Sequence, residues 1–215
     1  MSLKKIENKY WDNIDQKELM PRHLWALRFI DKGFVLDLGC GDGFLLKILR
    51  DRNIFGEGID VSETAIKKTI AKGIKGTVFD FSDGDLPYKD DSFEIVLMTD
   101  VFEHLYCPEI VVKEAHRITK NKVIIVTPNF VSLTARLQVL FGGVPLNNKP
   151  KRHHCYWVTR NALLNIVKRS GFRNIKIYYH PYFSKDNILK KGLGLCFSKL
   201  MPTLFSLSFI VVAEK

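Results

Sequence analysis

Residues Val35 to Gly43 read VLDLGCGDG, an apolar run holding the carboxylate of Asp37, followed by glycines at 39, 41 and 43. Glycine lets the main chain adopt positive φ and lets a ligand reach backbone amides that a Cβ would shield. Acidic residues recur downstream: Asp60 in GIDV, Asp80 in VFDF and Asp100 in LMTDVFEH, each at the end of a short apolar run. Carboxylates so placed attract cations and accept hydrogen bonds from hydroxyl and amino groups. Four residues beyond Asp100, His104 adds a base that titrates near neutrality.

Three ligand chemistries compete for the glycine stretch. A phosphate-binding P-loop needs a Lys-Ser/Thr pair where its helix begins, and GDGFLL has none. A dinucleotide fingerprint takes glycines at its first, third and sixth places. Gly39 and Gly41 fit, but Phe44 occupies the sixth, where bulk opposes close helix-to-strand packing. Asp37 would also repel a pyrophosphate. S-Adenosylmethionine reverses that sign, because it brings an ammonium and a sulfonium with one carboxylate and no phosphate. Asp37 then attracts, while amides at a helix N-terminus face the carboxylate. An NAD-linked oxidoreductase therefore ranks behind a user of this cationic donor.

The elements that must carry these residues alternate along the chain. FVLDLGC (34–40), FGEGIDV (55–61), TVFDF (77–81), FEIVLMTD (93–100) and KVIIVTPN (122–129) read as strands, too apolar to leave a face in water. Between them, GFLLKILRDR, SETAIKKTIAKG with Ser62 as N-cap, and PEIVVKEAHRIT with Pro108 in its first turn read as helices. Such alternation implies right-handed crossovers and an open parallel sheet with its ligand site at the carboxyl ends of the strands. Further on, TRNALLNIVKRSG reads as a helix capped by Thr159, NIKIYYH and SFIVVAEK as strands, and Pro181 to about Leu204 as a partly apolar insertion.

On these residues the chain resembles the class I, Rossmann-like S-adenosylmethionine-dependent methyltransferases, especially the group that includes quinone-biosynthesis methyltransferases and the methionine-biosynthesis W protein. The resemblance covers residues 34 to 129 well and the remainder loosely. It implies an α/β fold, an open seven-stranded mostly parallel sheet with helices on both faces and an antiparallel last strand. It also implies a single domain over 1–215: an N-terminal helical cap (1–33), a cofactor-binding half (34–129), a lid or substrate insertion (130–157) and a C-terminal helix with strands (158–215). The cofactor-binding set so implied is Asp37, Gly39, Cys40, Gly41, Gly43, Asp60, Val61, Asp80, Phe81, Thr99, Asp100 and Val101. Within it Asp60 suits the ribose hydroxyls, Asp80 and Phe81 the adenine, and Thr99 to Val101 the wall beside the methyl donor. Tyr10 and Trp11 match a leading helix that closes over the donor.

Methyl transfer from such a donor is an in-line SN2 displacement in which alignment supplies most of the acceleration. His104 is the candidate catalytic base for an acceptor that must lose a proton. No metal is assigned. The alternative sets Asp100, Glu103 and His104 at i, i+3 and i+4 of a helix, completed by His153 or His154, as in metal-assisted O-methyltransferases of RNA or of quinone precursors. A non-catalytic binding subunit of the same fold is disfavoured, since the donor-site residues are all present.

Charge bears on the acceptor. Residues 1–114 hold 16 Lys and Arg against 21 Asp and Glu, whereas residues 115–215 hold 17 against 2. No acidic residue occurs between Glu114 and Asp186. That half suits a small or anionic substrate, with nucleic acid and membrane-associated acceptors both compatible. The segment NNKPKRHHCYW mixes cationic side chains with Tyr156 and Trp157, which can stack or sit at an interface. RNA, lipid-linked intermediates, sugar nucleotides and organic acids all remain open. Four scattered cysteines, with no CxxC pair and no secretory leader, point to a reducing cytoplasm. The uncharged run at 200–213 is too short to span a bilayer.

Overall fold

A computed structural model describes residues 3–82, 84–145, 154–181, 197 and 199–215. Its strands are β1 (Val35–Leu38), β2 (Gly56–Asp60), β3 (Lys75–Val78), β4 (Phe93–Thr99), β5 (Thr119–Pro128), β6 (Arg173–Pro181) and β7 (Ser206–Glu214). They form a seven-stranded sheet of order β3-β2-β1-β4-β5-β7-β6. β1 to β5 pair in parallel, and β7 runs antiparallel between β5 and β6. This is the expected α/β architecture.

Alternation in β4 shows why the central strands are apolar throughout. Val96 and Met98 enter the core on one face, Ile95 and Leu97 the core on the other. Both faces are covered by helices: α3 (Phe44–Arg50), α4 (Glu63–Ala71), α5 (Pro108–Ile118) and α7 (Arg160–Arg169). Two caps read from sequence are formed. Ser62 Oγ accepts from Ala65 N at 3.2 Å, and Thr159 Oγ1 accepts from Ala162 N at 3.2 Å. Strand order reverses between β1 and β4, which opens a crevice at their carboxyl ends.

The N-terminal cap consists of α1 (Leu3–Asp12), α2 (Pro21–Ala26) and a 3-10 turn at Leu27–Phe29. α1 is tied to α4: Ser62 Oγ donates to Asn8 Oδ1 at 2.7 Å, and Lys68 Nζ donates to the carbonyls of Trp11 and Ile14 at 2.7 and 2.8 Å.

Two expectations change. TVFDF does not extend as one strand, because β3 ends at Val78 and Asp80 folds back, accepting from Ser82 N at 3.1 Å in an Asx turn. The insertion 130–157 contains a helix, α6 (Leu133–Leu140), moored where Leu133 N donates to Leu204 O at 2.8 Å. Lys149, Lys151, Arg152 and His153, and most of the Pro181–Leu204 insertion, lie outside the described residues. Among the described residues no helix is long and apolar enough to cross a membrane.

Candidate active site

The glycine stretch is the tight turn from β1 into α3. Gly39 has φ of 74°, and a Cβ there would stand 2.3 Å from Val101 Cγ2. Gly41 has φ of 55°, and its Cβ would stand 2.4 Å from the Trp11 ring. Backbone shape and close neighbours thus both demand glycine. Asp60, the last residue of β2, ties the turn together: Gly41 N donates to Oδ2 at 2.9 Å and Ser62 N to Oδ1 at 2.8 Å. Burial pushes the Asp60 carboxyl up, and the amide bonds oppose that shift. Each oxygen still has a lone pair for a ligand hydroxyl. Val61 is half-buried beside it.

Asp37 lies 1% exposed in β1, and its Oδ1 has no hydrogen-bond partner. Burial, with the nearby Asp60 charge, pushes its carboxyl up to about 8. A buried carboxylate without a partner costs several kcal/mol, roughly, so this position needs either a proton or a cation. Cys40, inside the turn, is buried. Its thiol packs on β2, where a Cβ on Gly58 would stand 2.4 Å from Sγ, and burial holds it neutral.

At the end of β4, Thr99 is half-buried, Asp100 has φ of 55° and Val101 is buried against the glycine turn. Asp100 faces the N-terminal cap. Arg22 Nε donates to Oδ1 at 2.9 Å, and His23 Nε2 lies 2.9 Å from Oδ2. Burial would raise its carboxyl, but the His23 hydrogen bond and the Arg22 guanidinium hold it well below the usual carboxylate range. The expected single helical face of Asp100, Glu103 and His104 is therefore not formed. Phe102–His104 is a 3-10 turn, and the left-handed backbone at Asp100 turns its side chain toward Arg22.

Glu103 and His104 instead meet His154, with one ligand-type atom from each within 4.8 Å of the others. The His104 and His154 rings are 4.8 Å apart, and Phe130 packs on His154 at 5.4 Å. Glu103 is buried, accepts from Thr127 Oγ1 at 3.1 Å, and is pushed up to about 8 by burial and by Asp100. Across the sheet, Asp80 is exposed and Phe81 is buried in the core after β3.

The glycine turn, Asp37, Asp60 and the β4 end thus lie together at the carboxyl ends of β1, β2 and β4, with Asp80 and Phe81 just past β3. Arg22 and His23 were not found from sequence. Their signal was electrostatic: Arg22, directly after Pro21 in the first turn of a helix, opposes its dipole and needs an acid from elsewhere.

Comparison with known proteins places this geometry. The family model of the methionine biosynthesis protein MetW matches residues 21–177. The chain belongs to the MetW family. It is a class I, Rossmann-like S-adenosylmethionine-dependent methyltransferase. Among this MetW chain's relatives, uncharacterized protein MJ1123 of Methanocaldococcus jannaschii is 29% identical over 202 residues, covering 88% of this chain and 92% of the relative. The ubiquinone biosynthesis O-methyltransferase of Pseudomonas syringae is 25% identical over 215 residues, covering 91% and 84%. In fold, it is similar to the crystal structure of an S-adenosylmethionine-dependent methyltransferase from Archaeoglobus fulgidus, with TM-score 0.66 and 22% identity, covering 90% of this chain and 94% of that one.

Proposed function

We propose that this MetW-family methyltransferase holds its donor along the crevice from Asp80 to Asp37 and methylates an anionic acceptor whose proton is taken by His104. The unpartnered, fully buried oxygen of Asp37 beside the glycine turn carries this reading. It is a cost that a cationic ligand removes and a pyrophosphate would increase. S-Adenosylmethionine, when bound, supplies an electrophilic methyl carbon on a sulfonium.

The chain's own residues supply the rest. Gly39 and Gly41 bring bare backbone to the ligand, Asp60 offers free lone pairs to ribose hydroxyls, and Asp80 with Phe81 suits an adenine edge and face. Thr99, Asp100 and Val101 wall the crevice where β4 ends, and Trp11 shuts it at the glycine turn. His104 stands past that wall on a 3-10 turn, against His154. A neutral imidazole there accepts a proton from a hydroxyl or ammonium nucleophile.

Titration calorimetry with S-adenosylhomocysteine and with NAD tests the donor assignment. The expected result is saturable binding of the first only; the reverse order of affinity overturns it. For His104→Ala we expect turnover to fall by about 100-fold or more with S-adenosylhomocysteine affinity kept. A turnover equal to that of the unsubstituted protein would return His104 to a packing role.

The Glu103–His104–His154 cluster favours a second reading, in which a divalent cation held there polarises the acceptor oxygen. In that case EDTA abolishes turnover and Mg²⁺, Mn²⁺ or Zn²⁺ restores it, and activity indifferent to chelation removes the metal.

A further inference from the structure

A groove of about 350 Å³ opens alongside α6, lined by Phe130, Ala135, Val139, Leu140 and Trp157, with Arg136 the charged side chain on its wall. Arg136 Nε donates to Val131 O at 2.9 Å, which fixes the guanidinium at the groove. α6 has no single apolar stripe: Ala135 is buried, whereas Leu137, Val139, Leu140 and the following Phe141 are exposed among Thr134, Arg136 and Gln138. Four exposed apolar side chains together mark a face expected to be covered by a ligand or partner.

Position says by what. Phe130 forms the inner end of the groove and stacks on Trp157 at 6.5 Å. Its other neighbour is His154, at 5.4 Å, which in turn faces His104 at 4.8 Å. Phe130 is therefore shared between the groove and the histidine pair that would receive the methyl acceptor. Arg136 is the charged residue of the groove's lining, and among the described residues no acidic side chain lines it.

We propose that this groove takes the apolar tail of the acceptor, and that the acceptor is an amphipathic anion: an alkyl, prenyl or alkyl-aromatic chain bearing a carboxylate or phosphate, with its nucleophile at His104. The proposal rests on the methyl-transfer reading of the neighbouring crevice. A free anion without a tail would leave the groove and α6 uncovered. A bilayer would cover α6 yet make no use of a concave slot that shares Phe130 with the His154–His104 pair. Tail burial supplies affinity in proportion to apolar area, and Arg136 selects for the anion.

The test uses the full chain titrated with dodecyl phosphate below its micelle concentration, followed by calorimetry and tryptophan fluorescence. Inorganic phosphate carries the charge alone and dodecyl maltoside the tail alone. S-Adenosylhomocysteine is titrated in parallel, so that a failed donor site is read separately from a failed groove. We expect saturable one-to-one binding of dodecyl phosphate, at least tenfold tighter than either control. Val139→Glu, which places a carboxylate in the wall, and Arg136→Glu should each weaken it at least tenfold with S-adenosylhomocysteine affinity unchanged. Leu140→Gln, at a more exposed position, serves if the thermal melt shows that Val139→Glu misfolds. Phosphate binding as tightly as its dodecyl ester overturns the proposal. So does undiminished binding by the folded wall variants. Binding to phosphatidylglycerol vesicles with none to monomeric dodecyl phosphate would likewise overturn it and assign the face to a bilayer.

Discussion

Arg22 holds Asp100 across 78 positions of sequence, Nε to Oδ1 at 2.9 Å, and so fastens the N-terminal cap to the end of β4. The carboxylate is only 24% exposed and sits on a left-handed residue, so the pair also keeps a strained backbone in place. Arg22→Ala should cost about 2 kcal/mol in urea unfolding, the scale of a charged hydrogen bond, and should make the segment before β1 more sensitive to protease. Because the folded carboxyl is depressed, its contribution is full above the unfolded value, about 3.9, and is lost as pH falls below that toward the folded value. Acid titration should therefore erode the unsubstituted protein more steeply than Arg22→Ala below about pH 4. Parallel acid curves would show that the pair contributes nothing.

Asp37 gives the opposite slope. Its carboxyl is raised to about 8 in the fold, so the folded chain retains a proton that the unfolded chain releases. Stability of the ligand-free protein should fall as pH rises through the window from about 4 to 8. Glu103, also raised to about 8, adds to the same trend. Asp37→Asn should flatten part of that fall, raise the melting temperature at pH 8, and weaken S-adenosylmethionine binding at least tenfold. Calorimetry near pH 7 in buffers of different ionisation enthalpy should show proton release when the unsubstituted protein binds S-adenosylmethionine. A melting temperature independent of pH would contradict the buried-acid assignment.

Gly39→Ala meets two obstacles, a φ of 74° and Val101 Cγ2 at 2.3 Å from the new Cβ. The backbone term alone is about 1–2 kcal/mol. Adding Val101→Ala should relieve the collision but not the backbone strain. A double-mutant cycle should therefore show the pair less destabilised than the sum of the singles. Strict additivity would mean that the turn moves away from β4 instead of pressing on it.

Asp60→Ala should act twice. The amides of Gly41 and Ser62 lose their acceptor, which costs about 1–3 kcal/mol of folding stability. S-Adenosylhomocysteine affinity should drop by about 2 kcal/mol, or roughly 30-fold, beyond any unfolded fraction. Unchanged affinity in the folded variant would remove Asp60 from the ribose assignment.

The sheet was legible because its central strands are buried on both faces, and double burial leaves a continuous apolar run such as IVLM in β4. Caps at Ser62 and Thr159 were legible because a side-chain oxygen bonding three residues ahead is a local event. The end of β3 was not. Val78 and Asp80 differ by an Asx turn that competes with the ladder, and apolarity alone does not reveal which wins.

Local chemistry alone therefore set the order of strands and helices, the glycine turn and the acids at the strand ends, since each depends on neighbours a few residues away. Tertiary structure alone decided which partners those acids have. Asp60 turned to the amides of Gly41 and Ser62, Asp100 turned to Arg22 and His23, and His154 arrived beside His104. The reason is that a carboxylate's partner is chosen by desolvation and distance after the chain has closed on itself, and neither is written in the spacing of residues.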